Sequence, residues 1–200
     1  MKINTKERIM EEALRLFAQT GYSGTSMGDI AGRLEITKAA LYKHYAGKQD
    51  ILNSIIHKME QMDLEHARAF EMPEGTSEKD ADAYQNITID RICAYTKAMF
   101  SYWTEEEFSS DFRKMLTLEQ YRDPSMNQLF HQYLAAGPAN YMKDMLRPLA
   151  DSEEDAERMA MDFYGPVFLL YSLYDQAADK QAVMKLLNQH LEKFTERNSK

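Results

Sequence analysis

Apolar residues recur every three or four positions along most of the chain, which is the spacing of an amphipathic α-helix. No stretch shows the strict alternation of a half-buried β-strand bounded by turn residues. We therefore predict an all-α fold. In the N-terminal part, the first helix ends near Gly21, a second begins after the cap residue Ser26, a third runs over about 37–45 and a fourth over about 48–70.

A polar, acidic stretch at 71–84 contains Pro73 and Gly75 and is typical of a linker. Beyond it the apolar spacing predicts further helices at about 86–103, 105–120, 125–147, 152–177 and 180–196. The pair Gly137-Pro138 is a candidate break in the third of these, because proline disrupts the interior of a helix.

Composition limits the class of protein. With 44% hydrophobic residues, the 200-residue chain can bury a substantial core. Its single cysteine, Cys93, excludes an internal disulfide framework and favours a reducing cytoplasm. The N-terminus does not resemble a signal peptide, and the longest nearly uncharged apolar run, 163–174, is too short to cross a bilayer. We expect a cytoplasmic protein with no membrane partner.

Charge is divided unevenly along the chain. Residues 1–50 carry eight Lys/Arg and six acidic residues, a net charge of +2, although the whole chain has a net charge of −8. The remaining 150 residues therefore have a net charge of −10 and would repel DNA. Any contact with nucleic acid is thus expected in the N-terminal part alone.

The second and third predicted helices have the spacing of a helix-turn-helix, whose second helix enters the major groove of DNA. The outward positions of the third helix interleave basic and aromatic residues, as in "TKAALYKHY". Five apolar residues are suited to form the small core between the two helices: Ile30, Ala31, Leu34, Ile36 and Leu41.

Residues 4–52 resemble the DNA-binding domain of the TetR family of bacterial regulators (TetR/AcrR type). The resemblance rests on three spaced motifs: Ala-x-x-Leu-Phe-x-x-x-Gly-Tyr, Thr-Ser-Met-x-Asp-Ile-Ala and Leu-Tyr-x-His-Tyr-x-x-Lys-x-x-x-Leu. It covers about a quarter of the chain, and the rest agrees with the family only in length and helical character. We divide the chain into a helix-turn-helix DNA-binding domain, residues 1–48, and a larger helical ligand-binding and dimerisation domain, residues 49–200.

The resemblance implies which residues contact double-stranded operator DNA. Side chains at the start of the third helix would face base edges, and hydroxyl, basic and aromatic groups around it would contact phosphates. Tyr45 occupies an aromatic core position and is expected to be structural. The base-reading residues are Lys38, Ala39 and Ala40; the phosphate-contacting residues are Thr25, Thr37, Tyr42, Lys43, His44 and Lys48.

Two positions depart from the family pattern. Glu35 stands at the turn position usually held by glycine, so it either adopts a left-handed conformation at a cost of about 1 kcal/mol or the turn differs. Gly28 stands where many members carry a polar or basic side chain that contacts DNA. Base reading therefore depends more heavily on the third helix.

The last two helices are predicted to form a homodimer interface, because the family pairs these helices with their symmetry mates in a four-helix bundle. The alternative is burial of the same apolar residues within one chain. The predicted interface residues are Phe168, Tyr171, Val183, Leu186, Leu187, His190, Leu191 and Phe194.

Aromatic residues and methionines are abundant in the middle helices and would suit a cavity for an unidentified small-molecule effector, hydrophobic or cationic and aromatic. The alternative is that they only fill the core, and His131 is more easily read as a core or pocket-wall residue than as a ligand contact. The candidate ligand residues are Phe100, Trp103, Phe112, Met115, Phe130, His131, Tyr133, Tyr141, Phe163 and Tyr164.

Catalytic and metal-binding patterns are weak. "GTSMG" at 24–28 matches the nucleophile elbow of hydrolases, but no strand precedes it and Ser26 is better placed as a helix cap. The five histidines form no metal-binding spacing, and no cofactor is expected. We predict a dimeric repressor, not an enzyme. An activator, a regulator without a small-molecule effector and a regulator that responds to a protein partner remain open alternatives.

Overall fold

The computed structural model describes residues 5–73, 84 and 86–198, and this part of the chain contains helices and no strand. The predicted all-α fold is confirmed. The predicted linker, 71–84, lies mostly outside the described residues. The helices are α1 (Thr5–Thr20), α2 (Met27–Arg33), α3 (Lys38–Tyr42), α4 (Lys48–Ala69), α5 (Ile89–Glu105), α6 (Glu107–Glu119), α7 (Pro124–Leu134), α8 (Ala136–Leu146), α9 (Glu153–Gln176) and α10 (Lys180–Asn198).

The helix predicted over 125–147 is two helices, α7 and α8, separated at Ala135 (φ −122°, ψ −94°). Gly137 explains the close packing there, because a Cβ on it would lie 1.9 Å from the carbonyl oxygen of Gln132. Pro138 falls in the first turn of α8, where the missing N–H is not needed. Gly137-Pro138 thus marks the break as predicted.

Two compact units make up the described residues, and each is described separately. The first contains the chain up to residue 63 together with 107–130, and the second contains 64–106 together with the chain from 131 onward. Helix α6 therefore groups with the N-terminal helices. The predicted boundary at residue 48 stays a prediction.

In the first unit, α1 buries Ile9, Ala13 and Phe17 on one side. It ends at Gly21, which has φ 84° and whose N–H donates to the carbonyl of Phe17 at 3.0 Å. A positive φ is easily adopted by glycine alone, so Gly21 ends this helix as predicted.

Ion pairs connect α1 to the other helices of the first unit. Arg15 makes a two-point contact with the Glu107 carboxylate of α6, with N–O distances of 2.6 and 2.8 Å. Lys58 of α4 lies 3.3 Å from both Glu7 and Glu11. These partly exposed pairs fix the direction of α1 more than they stabilise the fold.

In the second unit, α9 and α10 pack against each other and α9 also packs against α8. The rings of Phe163 on α9 and Phe194 on α10 meet edge to face, with centroids 4.7 Å apart. The hydroxyl of Tyr164 donates to the carbonyl of Leu134 at 2.8 Å. This buried hydrogen bond fixes α9 relative to the end of α7.

Candidate nucleic-acid interface

Helix α2 begins with a complete capping box. The amide of Asp29 donates to the Ser26 hydroxyl at 3.2 Å, and the amide of Ser26 donates to the Asp29 carboxylate at 2.8 Å. The hydrogen bond from the Ser26 hydroxyl, followed by the one from its amide, lowers the pKa of the Asp29 carboxyl. The prediction that Ser26 is a helix cap is confirmed.

The turn between α2 and α3 has the left-handed conformation expected at Glu35, with φ 56°. The amide of Ile36 donates to the carbonyl of Ala31 at 3.0 Å, and the amide of Glu35 donates to that of Gly32 at 3.1 Å. These two bonds form a Schellman motif. Of the two alternatives for this position, the strained one is observed, at a cost of about 1 kcal/mol relative to glycine.

Helix α3 is short and is fixed from both sides. The Thr37 hydroxyl accepts a hydrogen bond from the amide of Ala40 at 3.1 Å. Leu41 is fully buried, and Tyr45 is buried with its hydroxyl donating to the carbonyl of Lys6 at 3.1 Å. The structural role predicted for Tyr45 is confirmed.

The outward side of α3 and its C-terminal end carry most of the predicted DNA contacts on one exposed surface. Tyr42 is 52% exposed although it is a large aromatic residue. Ala40 is half-buried. The surface contains two lysines and no acidic residue. The exposed members are Thr37, Lys38, Ala39, Tyr42, Lys43 and His44.

Thr25 does not belong to this surface. Its side chain is only 3% exposed, and its hydroxyl donates to the carbonyl of Gly21 at 2.9 Å. The same oxygen lies 2.9 Å from the hydroxyl of Thr20. The prediction that Thr25 contacts a phosphate is therefore wrong, because these internal bonds bury its hydroxyl beneath the α1–α2 loop.

Lys48 is half-buried and points into the α1–α2 loop. Its Nζ donates to the carbonyls of Tyr22 at 2.6 Å and Thr25 at 2.8 Å, and it lies 4.3 Å from the centroid of the Tyr22 ring. Burial lowers the pKa of the Lys48 amine. A phosphate contact would have to use its one remaining N–H, so we assign Lys48 mainly to support of the loop.

Sequence reasoning missed a second support of this loop, Glu119 at the end of α6. Its buried carboxylate accepts a hydrogen bond from the Ser23 hydroxyl at 2.7 Å and lies 3.4 Å from the Arg122 guanidinium. A Cβ on Gly21 would lie 2.1 Å from its Oε1. No local pattern indicates a partner 96 residues away in the sequence.

Most of the predicted ligand residues are buried, which agrees with either a cavity wall or a plain core. Trp103 makes edge contacts with Tyr102 and Tyr133, at centroid distances of 5.3 and 6.4 Å. The Tyr141 hydroxyl donates to the carbonyl of Pro73 at 2.9 Å, and Tyr141 is half-buried. The buried members are Phe100, Trp103, Phe112, Met115, Phe130, Tyr133, Phe163 and Tyr164.

His131, predicted as a core or pocket-wall residue, is exposed, so the core position is wrong. It lies on α7 beside Phe130, which is buried, and the helical turn points the two side chains in different directions.

A cleft of about 1150 Å³ lies in the second unit. Its lining mixes carboxylates with basic groups, among them Asp162, Arg158 and Arg197. Asp162 is exposed and lies 3.5 Å from Arg158, so its charge is solvated and paired. None of the ten predicted ligand residues lines this cleft.

Five of the predicted interface residues are buried within the chain and cannot give much area to a partner. For these five residues the structure favours the alternative, burial within one chain, because this side of α10 packs on the chain's own helices. His190 is half-buried, and its Nε2 lies 2.7 Å from the carbonyl oxygen of Phe163. The buried residues are Tyr171, Val183, Leu187, Leu191 and Phe194, whereas Phe168 and Leu186 are exposed.

Within the described part of the chain, no group of three or more His, Cys, Asp or Glu side chains could hold a metal ion. No helix found there combines the length and the hydropathy needed to cross a membrane.

The profile of the family described as "Bacterial regulatory proteins, tetR family" matches residues 9–55, which contain α2, the Glu35 turn and α3. Residues 9–55 are thus similar to the N-terminal part of TetR-family regulators. Among relatives, the AcrR transcriptional regulator of Shigella flexneri is 37% identical over 70 residues, or 33% of each chain. IcaR of Staphylococcus epidermidis, a negative regulator of a biofilm operon, is 44% identical over 46 residues, or 23% of this chain and 25% of IcaR.

This chain covers only 33% of AcrR and 25% of IcaR, so these two matches support similarity in one segment and not over the whole length of either relative. Solved TetR-family structures extend the likeness in fold to nearly the whole chain. A regulator from Bordetella parapertussis has a TM-score of 0.67 at 23% identity, covering 96% of this chain and 94% of its own.

The structure of AibR in complex with isovaleryl coenzyme A and operator DNA has a TM-score of 0.61 at 19% identity, covering 93% of this chain and 97% of its own. The relatives are named as transcriptional regulators.

Proposed function

We propose that the protein is a homodimeric, sequence-specific DNA-binding transcriptional regulator. The observation that carries the proposal is the exposed basic surface of α3, in which Lys38, Lys43 and His44 surround an exposed Tyr42. This surface is fixed from behind by Leu41 and by the two helix caps. A buried scaffold with exposed cations matches what a recognition helix needs to hold its register on phosphates. The proposal places the protein in the cytoplasm, where bacterial DNA lies.

A homodimer is proposed because one short recognition helix reads few base pairs, whereas two related by a two-fold axis read a palindrome. Large apolar side chains are exposed on α9 and α10, and an exposed patch of this kind is typical of a protein interface. The interface proposed here keeps Phe168 and Leu186 of the predicted set. The exposed side chains are Met161, Phe168, Leu169, Leu173 and Leu186.

Base reading and phosphate contact should separate in two lysine variants. Lys38→Ala is expected to cost about 1–3 kcal/mol at one or two positions of the selected site, because Lys38 stands at the start of α3 where side chains meet base edges. Lys43→Ala should weaken binding to all sequences and reduce the salt slope by about 1. Selection of bound sites from random duplex DNA, followed by titrations at several salt concentrations, measures both effects.

Uniform weakening by both variants would show that Lys38 does not read bases. A wild-type chain that enriches no sequence would contradict the proposed function itself.

We propose further that the regulator is a repressor that a small hydrophobic or cationic aromatic ligand releases from DNA. The name of IcaR as a negative regulator supports repression, and the complex of AibR with isovaleryl coenzyme A and operator DNA supports binding of a small molecule by a protein of this fold. In this chain, Thr96 on α5 has a buried hydroxyl with no hydrogen-bond partner within the described residues. It lies one helical turn from Phe100 in a helix rich in aromatic residues, where a ligand could satisfy it.

An effector that binds in this region should change the fluorescence of Trp103, which is the only tryptophan of the chain. Full release requires that the ligand favour the non-binding conformation by about 5.5 kcal/mol if the equilibrium is to move from 1:99 to 99:1. A screen of apolar and cationic aromatic compounds, read by tryptophan quenching and by DNA release, tests this. Compounds that release DNA without affecting Trp103, and whose affinity survives Tyr133→Ala, would place the ligand elsewhere. Co-purification of a protein that releases DNA would favour a protein effector.

A further inference from the structure

Gly28 and Lys38 lie against each other across the two helices of the helix-turn-helix. Gly28 is the second residue of α2, and Lys38 is the first residue of α3. A Cβ on Gly28 would lie 2.8 Å from Cε and 3.0 Å from Nζ of Lys38. It would also lie 3.3 Å from the hydroxyl oxygen of Ser26. The lysine stem therefore occupies the space that any other side chain at position 28 would take.

The charge around this contact favours the same arrangement. Asp29 follows Gly28, and its carboxylate is held in place by the amide and hydroxyl of Ser26. Lys38 is close enough to stabilise the ionised form of that carboxylate. Lys38 is otherwise exposed. The space at Gly28 admits its stem and the charge of Asp29 attracts its amine, so both favour the same direction of the side chain.

We propose that Gly28 is a specificity-determining residue that acts through Lys38. The open space at Gly28 lets the Lys38 stem cross the N-terminal turn of α2. The Lys38 amine then donates to the base edge that lies nearest to both helices. A side chain at position 28 would displace the lysine toward the far side of α3 and change the base that it reads. Gly28 is thus a positioning residue. The inference rests on the proposed sequence-specific DNA binding.

The decisive variant is Gly28→Ala, and Gly32→Ala is its matched control. Both glycines lie in α2, and both substitutions raise helix propensity. A Cβ at Gly32 meets nothing within 4 Å, so that variant leaves Lys38 undisturbed. Thermal unfolding of both variants shows whether each folds, and the two closest contacts at Gly28 are with the far end of the flexible Lys38 side chain, which can move.

We expect Gly28→Ala to lose about tenfold in preference at the same base positions that Lys38→Ala affects, which corresponds to one lost contact of about 1.4 kcal/mol. Its affinity for random DNA and its salt slope should match the wild type, because the charge is retained. Gly32→Ala should select the wild-type site. In the Lys38→Ala background, Gly28→Ala should cause no further change in preference, because the two residues act as one unit.

Three results would overturn the inference: an unchanged site for Gly28→Ala, a change at positions that Lys38→Ala does not affect, or an undiminished effect of Gly28→Ala when Lys38 is already alanine. The last result would mean that the new methyl group contacts DNA itself. Failure of the proposed function is distinguishable, because the wild-type chain would then enrich no sequence at all.

Discussion

Leu186→Glu is expected to give a folded monomer that binds operator DNA weakly, and the neighbouring Leu187→Glu is expected to prevent folding. Leu186 is 50% exposed on α10, whereas Leu187 is fully buried. A carboxylate at position 186 stays in water in the single chain but is desolvated when two copies meet. A carboxylate at position 187 has no water in either state, and burying an unpaired charge costs several kcal/mol.

Loss of the dimer should lower operator affinity by about 10²- to 10⁴-fold, because the second half-site no longer adds to the first. Analytical ultracentrifugation gives the mass of each variant, circular dichroism gives its helicity, and DNA titration gives its affinity. Leu169→Glu on α9 is a second exposed variant and should behave like Leu186→Glu. A dimeric Leu186→Glu variant with normal affinity would place the interface on another surface.

Leu186 and Leu187 show what the apolar spacing on α10 could and could not indicate. The stripe of Val183, Leu187 and Leu191 predicts one apolar side of a helix correctly, and all three residues are buried. Periodicity does not say whether that side meets the same chain or a second copy, since the physical gain from burial is the same. The exposed residues Leu169 on α9 and Leu186 on α10 follow no such spacing. Only the structure distinguishes them from the buried apolar residues.

Local signals in the helix-turn-helix were predictable because the side chain and the backbone it serves are neighbours. Ser26 and Thr37 cap the helices that follow them, and Gly21 ends α1. The Glu35 turn was also identified as one of two alternatives, and its φ of 56° decides between them.

Contacts between residues distant in sequence were not predictable from this one sequence. Glu119 packs beneath the α1–α2 loop, and α6 belongs to the first unit, although nothing in the local pattern of 107–119 indicates it. Thr25 was misassigned for the same reason. A threonine just before a helix-turn-helix can face phosphate or the loop beneath it, and its place depends on the partners that the loop brings to it.

Lys48→Met is expected to destabilise the chain by about 2 kcal/mol, because it removes two charge-assisted hydrogen bonds, each worth about 1.5–3 kcal/mol, to the carbonyls of Tyr22 and Thr25. This value lies below the summed range of about 3–6 kcal/mol, because burial lowers the pKa of the amine and part of the gain therefore only offsets desolvation. For a chain of 200 residues this corresponds to a fall in Tm of about 4–8 °C. Methionine keeps the apolar stem against the Tyr22 ring.

The consequence for DNA binding distinguishes loop support from phosphate contact. If Lys48 supports the loop, Lys48→Met lowers Tm and weakens binding to all sequences, while the salt slope stays at the wild-type value because no counterion-releasing contact is lost. Lys43→Met is the matched control: its lysine is exposed, so it should leave Tm unchanged and reduce the salt slope by about 1. An unchanged Tm for Lys48→Met together with a slope reduced by about 1 would restore Lys48 to the phosphate contacts that the family resemblance implies.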